Sequence, residues 1–387
     1  MSNVKNTQRR FLTTLLMTLM LFHGKATFRN LSRYSDCDEK TYARGFRRPF
    51  DFVEFNQLAI APLISNQKTL VAALDCSFIP KSGKQTYGLD KFYHSQHGLA
   101  ETGIEISTLA IIDVDYNTAY HWSIRQTPTE IRNSDETRVD CYLEHLKQDR
   151  HALPTQVRHL VTDGYYSKTK FIEGVAQLEL FQIGKLRQDA SLRWRYLGVQ
   201  KPRGRPKLYD GKVTLTDLSR FELAGPRNGF QLYTAIVNSP HFKHNLQVVY
   251  LVKPQSHGIH TAWLFSTDLQ LSAFDIYRFY QARFQIEFLF REAKQFTGLC
   301  DCQSRKRDVL HFHFNVTMTA LNFLKIEDRQ RVPEPSPRQA ISIASWKTRH
   351  ANTHLLERVS NYLGLDFSLI KSRPDFQSLC NYGAIAT

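Results

Sequence analysis

Three acidic residues stand where they could hold metal. Asp75 closes the continuous apolar run Thr69-Leu-Val-Ala-Ala-Leu-Asp75, and Asp163 closes a second, His159-Leu-Val-Thr-Asp163. The third, Glu287, lies in Tyr280-Gln-Ala-Arg283-Phe-Gln-Ile-Glu287-Phe-Leu-Phe-Arg-Glu-Ala-Lys294. Arg283, Glu287 and Lys294 follow Tyr280 by 3, 7 and 14 residues. At ~100° per residue these four polar groups fall on one narrow helical face. Carboxylates on rigid elements can cage two hard cations ~3.5–4 Å apart, which clamp the attacking and leaving oxygens of a phosphodiester. Arg and Lys beside them can grip phosphate. Taken singly, each acid reads as well as a turn or cap residue, and Glu287 as an ion-pair partner of Arg283 or Arg291. The shared stripe is what joins them.

The elements that must position these groups follow from pattern. A continuous apolar run ending in an acid reads as a buried strand with a carboxylate at its C-terminal end. Residues 69–75 and 159–163 fit this, with Thr108–Asp113 and Ala119–Ile124 as further strands joined by a turn at Asp115–Asn117. Ser134 is a candidate cap for a helix to about Arg150, and Ser167 for a helix to Ala176. Leu178–Ile183 reads as a strand, Ala262–Thr267 as another, and Ser272–Phe296 as one long helix. Between Arg187 and Pro254 short alternating segments, Val213–Thr216, Phe230–Val237 and Leu246–Val252, sit among Gly, Pro and Asn turns. This is β-rich sequence set into an α/β pattern. The segment after 305 reads as helical, broken by Pro333, Pro335 and Pro337.

Composition narrows the classes. The 387 residues carry 51 Lys and Arg against 36 Asp and Glu, a net charge of +15, which favours a polyanionic partner, nucleic acid first. The six cysteines are scattered and do not describe a disulfide framework. Cys300 and Cys302 precede His311 and His313, but the CxC spacing is not that of structural zinc sites. The run Phe11–Phe22 after Arg9 and Arg10 imitates a signal peptide. It is far shorter than the ~20 residues of a membrane span. No A-x-A-like cleavage site follows it, so it is expected to be a buried helix. Asp90, Asp113 and Asp115 compete with Asp75 for attention and are expected to be structural, because turns favour Asp.

The spacing Tyr-x2-Arg-x3-Glu-x6-Lys resembles the YREK signature of bacterial insertion-sequence transposases with an RNase H-like DDE core. Leu74–Lys84 resembles that group's first-Asp block and Val161–Ser167 its second, while Phe265–Asp268 and Lys294–Leu299 also match. Cys76 after the first Asp is a departure. The resemblance covers residues 68 to 325 and implies a fold and a function. The fold would be α/β, an RNase H-like mixed sheet with flanking helices, interrupted by a β-rich insertion, plus a small N-terminal helical domain. The expected divisions are a helical DNA-binding domain at 1–62, the core at 63–186 and 259–325, a basic β-rich insertion at 187–258, and a helical region at 326–387.

Asp75, Asp163 and Glu287 would be the catalytic residues and the ligands of two Mg2+, with Mn2+ able to substitute. Tyr280, Arg283, Lys294 and Lys84 would contact DNA. Lys201-Pro-Arg203-Gly-Arg205-Pro-Lys207 resembles an AT-hook, so Arg203 and Arg205 join that set. The function implied is cut-and-paste transposition of an insertion sequence. Its partners would be double-stranded DNA, meaning the element's terminal inverted repeats and the target, and a second copy in a homodimer. The setting would be the bacterial cytoplasm, with no membrane. The alternative is an inactive, transposase-derived DNA-binding protein.

Overall fold

The computed structural model describes residues 4–64, 68–94, 97–128, 130–131, 135–214, 217–255, 258–331 and 341–385. Four helices open the chain: α1 (Asn6–Leu21), α2 (Phe28–Leu31), α3 (Glu39–Gly45) and α4 (Phe52–Ile60). Then come β1 (Leu70–Pro80), β2 (Asp90–His94), β3 (Leu99–Asp113), β4 (Thr118–Gln126), α5 (Arg138–Asp149), β5 (His159–Val161), α6 (Thr169–Gln177) and β6 (Phe181–Leu186). Strands β7 (Arg193–Arg195), β8 (Tyr209–Lys212), β9 (Glu222–Arg227), β10 (Phe230–Ser239), β11 (His244–Gln255) and β12 (Gly258–Ser266) follow. Helices α7 (Ala273–Ala282), α8 (Phe284–Glu292), α9 (Arg307–Arg331) and α10 (Ile343–Tyr362) complete the body, with short α11 (Phe367–Lys371) and α12 (Phe376–Cys380) beyond it.

The strands form one mixed sheet, in the order β2-β3-β1-β5-β6-β12-β11-β10-β7-β8, with β4 on β3 and β9 on β10. β1 is antiparallel to β3 and β3 to β4, whereas β1, β5 and β6 are parallel. This is an RNase H-like sheet. The strands expected of a basic insertion do not fold into a sheet of their own; they extend the core sheet beyond β12. A strand forms at Tyr209–Lys212, before the one expected at Val213–Thr216, of which residues 215 and 216 lie outside the described residues.

Burial explains the unbroken apolar run of β1. Val71 and Ala73 pack into one core with α1, α8 and α9, while Leu70, Ala72 and Leu74 pack into a second with α5 and α6. A strand covered on both faces loses the in–out alternation of a half-exposed one. The apolar run at the N-terminus is the buried helix α1, with Leu15 and Leu19 almost fully enclosed. The Phe46 ring lies 4.8 Å from those of Phe28, edge to face, and Phe312, tilted, so α1–α4 share their core with α9. Gly45 gives α1 room, because a Cβ there would run into the Phe11 ring and force it to shift. Among the described residues, no helix is long and apolar enough to cross a membrane.

α9 also covers the outer edge of β4. The Asn315 amide accepts from Ile124 N–H (3.0 Å) and donates to its carbonyl (3.2 Å). Asn322 does the same for His121, both at 2.8 Å. The seven-residue separation of the two Asn is two helical turns, so a helix supplies the pairing that a further strand would have given.

Two capping expectations are corrected. α6 is capped at Lys168, while Ser167 Oγ donates to the Lys185 carbonyl (2.7 Å). α5 begins after Thr137, which forms a capping box with Asp140. Ser134, and the prolines at 333, 335 and 337, lie outside the described residues.

Candidate active site

Asp75 and Asp163 are brought side by side by strand register. Ala73 pairs with Val161 in the parallel β1–β5 ladder, and each acid lies two residues further on. Strand neighbours run ~4.8 Å apart, and both acids project to the face shared with Val71, Ala73 and Val161. That is the face on which Ile286 and Leu289 of α8 pack. Asp75 does not end its strand. β1 continues through Pro80, pairing with β3 from Asp75–Thr108 to Pro80–Gly103, because Phe78 and Ile79 still find core. Asp163 does follow its strand, and its Oδ1 accepts from Tyr165 N–H (2.9 Å).

The expected helix at 272–296 is built in three parts. α7 and α8 meet at Arg283, which keeps helical angles (φ −50°, ψ −36°). A π-helical turn, Ala293–Thr297, then ends at Gly298 in the left-handed region. Such turns shift the phase of a helix and are frequent at functional sites. Here the turn carries Lys294, whose Nζ donates to the Phe78 carbonyl on β1 (3.1 Å). Burial lowers the Lys294 pKa.

Arg283 is the centre of the arrangement. Its side chain is 8% exposed, and its Nη2 donates to Glu287 Oε1 at 2.8 Å. Nη1 lies 3.6 Å from Asp75 Oδ2. The Tyr280 ring, 5.6 Å from the guanidinium, and the Phe284 ring, 4.9 Å from it, border the same group. The spacing expected to present Arg283 to DNA thus turns it inward, as the bridge between two of the three acids. The ion pair with Glu287 that helical spacing allowed is also present.

Burial holds the two strand acids back from ionisation. Asp75 is pushed up to about 7, first by burial and next by the charge of Asp163, with Arg283 and the Cys76 N–H opposing. Asp163 is also raised, chiefly by burial, against the Tyr165 N–H and Arg283. Tyr280 is raised by burial. Two adjacent carboxyls, Asp75 and Asp163, that resist ionisation fit a hard divalent cation, which would take the place of the proton. The donor set therefore suits magnesium. Among the described residues, however, the trio of ligating side chains whose ligand atoms all lie within 4.8 Å of one another is His94, His97 and Glu101, not the acids. Arg283 occupies the approach between Asp75 and Glu287 as a stand-in cation.

The remaining expected residues are spread more widely. Lys84 is exposed in the turn after β1. Arg203 and Arg205 are exposed in the loop from β7 to β8, where Gly204 takes φ +101°. The Gln200 amide closes that loop, donating to the Lys207 carbonyl (2.8 Å) and accepting from its N–H (2.9 Å). Strand order puts β7 five positions from β5, roughly 24 Å across the sheet. Asp113 and Asp115 are structural, as expected. Asp113 Oδ1 accepts the Asp115 and Tyr116 N–H groups, and Asp115 accepts that of Thr69. Cys300, Cys302, His311 and His313 do not form a ligand group among the described residues.

One feature beside the acids escaped the sequence reading. Arg138, Tyr165, Lys168 and Lys170 line a cavity of about 390 Å³ two residues from Asp163. Lys168 Nζ lies 3.7 Å from the centre of the Tyr165 ring. The aromatic after Asp163 was visible, but its cationic neighbours come from a separate helix start and from α5.

No curated protein matches the chain. Among solved structures, endonuclease V from Bacillus subtilis is similar at 11% identity over 76% of this chain and 96% of that one, with a TM-score of 0.27. A likeness of that size carries no argument. A family model described as DDE superfamily endonuclease matches residues 2–222, which include Asp75 and Asp163 and end before Glu287. Nucleases of that superfamily act on DNA and generally depend on a divalent metal. Matched by this model over more than half its length, the chain belongs to the DDE superfamily endonucleases.

Proposed function

We propose that this endonuclease is a DNA transposase of the YREK insertion-sequence group, which cuts at the ends of its own element and joins them to a target. The observation that carries the reading is the Arg283 bridge from Asp75 to Glu287, which ties the signature helix to the strand acids. Two Mg2+ ions, or Mn2+, held by Asp75, Asp163 and Glu287 would supply an activated water and clamp the attacking and leaving oxygens.

The chain's own groups would act as follows. Asp75, whose carboxyl burial raises to about 7, would give up its proton on holding a cation. Arg283 holds Glu287 until a DNA phosphate competes for the guanidinium, whose planar fork matches phosphate as well as carboxylate. Lys294, anchored on the Phe78 carbonyl, and Tyr280 flank the cleaved strand. Lys84 contacts the backbone beyond it. Arg203 and Arg205, at the tip of the Gln200-closed loop, reach the duplex away from the cut. Residues 1–62 are proposed to read the terminal inverted repeats, and a homodimer to pair two ends, in the cytoplasm of a bacterial cell.

The test is incubation of the purified protein with DNA carrying the gene's own flanks and an unrelated plasmid. Excised element and joined products support transposition. Cutting that is indifferent to the flanks, with no joined product, reduces the function to that of a nuclease.

A further inference from the structure

We propose that the tip of the β2–β3 hairpin is a second, separate cation site, selective for a borderline ion of the zinc class and built from His94, His97 and Glu101. Register creates it. His94 faces Leu99 and Phe92 faces Glu101 across the antiparallel pair, so His94 and Glu101 are diagonal neighbours on one face. The turn returns His97 to the same place. Its N–H and that of Gly98 both donate to the His94 carbonyl (3.2 and 2.9 Å), and Gly98 takes φ +69°, which glycine adopts without strain.

Three ligand atoms therefore converge. His94 Nδ1 lies 2.8 Å from Glu101 Oε2, and His97 Nδ1 lies 2.6 Å from Oε1. All three ligand positions fall within 4.8 Å of one another. Ligands at ~2.0–2.1 Å from a tetrahedral zinc stand roughly 3.3 Å apart, so the Glu101 oxygens would draw back slightly from both imidazoles to seat the ion. The imidazoles meet edge to face at 4.2 Å, and the His94 ring packs at 4.7 Å on Phe78, which gives the site an apolar floor. His97 is 55% exposed, so the fourth position opens to water.

The donor chemistry separates this site from the acidic one. Two imidazole nitrogens and a carboxylate suit zinc, cobalt or nickel, whereas an all-carboxylate set suits magnesium. The ion would fasten the hairpin tip to the strand carrying Asp75, because Phe78 lies three residues beyond that acid and its carbonyl receives Lys294.

The test uses the full chain with Asp75→Asn and Asp163→Asn, which silences the acidic site. Titration with ZnCl2 by calorimetry should give one equivalent bound, uncompeted by excess MgCl2. Adding His97→Ala or Glu101→Gln should abolish that equivalent, while far-UV circular dichroism and the melting temperature without metal stay unchanged. Co2+ should give the visible absorption of a tetrahedral site in the Asn background and none with His97→Ala. Zinc binding that survives His97→Ala, or none in the Asn background, overturns the proposal. In the latter case the trio is an imidazole–carboxylate hydrogen-bond clasp only.

Discussion

Replacing Asp75 with Asn should stabilise the protein, increasingly so as pH rises, while abolishing its metal response. Asp75 is raised from 3.8 to about 7 in the folded chain, and the side chain is 18% exposed. A carboxyl with a raised folded pKa keeps its proton after the unfolded chain has lost its own. Stability therefore falls as pH climbs from ~4 to ~7, with little change from this group outside that window. A shift of ~3 units at about 1.4 kcal/mol each amounts to ~4 kcal/mol above pH 7, an upper bound on what Asn relieves. Asn keeps the size of the side chain and removes the charge that Asp163 and Glu287 oppose. The assay is thermal unfolding in EDTA at pH 5 and pH 8, then with saturating Mg2+. The advantage of Asp75→Asn over the parent should be far larger at pH 8. Mg2+ at 100 times its Kd should stabilise the parent by ~2.7 kcal/mol and leave the variant unmoved. An advantage equal at both pH values, or equal stabilisation of both proteins by Mg2+, would refute the electrostatic account of the site.

Further outcomes follow from other contacts. Arg283→Gln removes the charge that lowers Asp75 and Asp163, so the acidic limb of the metal-dependent cleavage profile should move to higher pH, read from pH–rate curves; an unmoved limb contradicts the bridge. Arg203→Ala with Arg205→Ala should lower the slope of log K against log salt for duplex binding by about 2, with cleavage of bound DNA retained. Phe46→Ala should cost about 3–5 kcal/mol in chemical denaturation, since the ring is 1% exposed and joins α3 to α9.

Much of this architecture was legible in the residues, for physical reasons that differ by element. The runs at 69–75 and 159–163 announced buried strands because both faces of each are covered. The end of β1 was not legible, because an acid within a strand looks locally the same as one at its end, and Phe78 and Ile79 prolong the pairing. The stripe of Tyr280, Arg283 and Glu287 was visible as spacing. The inward direction of Arg283 was not, since an i,i+4 pair serves a surface helix and a half-buried bridge equally. The π-helical turn at Ala293–Thr297 has no simple sequence signature, yet it sets where Lys294 reaches. Strand propensity marked β10 and β11 but could not name their partners, so their continuation of the core sheet was hidden. His94, His97 and Glu101 were overlooked because their meeting depends on hairpin register and one left-handed glycine.

The most direct measurement is cleavage of DNA bearing the gene's flanking sequence, with Mg2+ or Mn2+, by the intact protein and by Asp163→Ala. The account predicts metal-dependent cutting by the intact protein and none by the variant, with DNA binding preserved in both. Equal cutting by the two proteins would contradict the assignment of Asp75, Asp163 and Glu287 as the catalytic site.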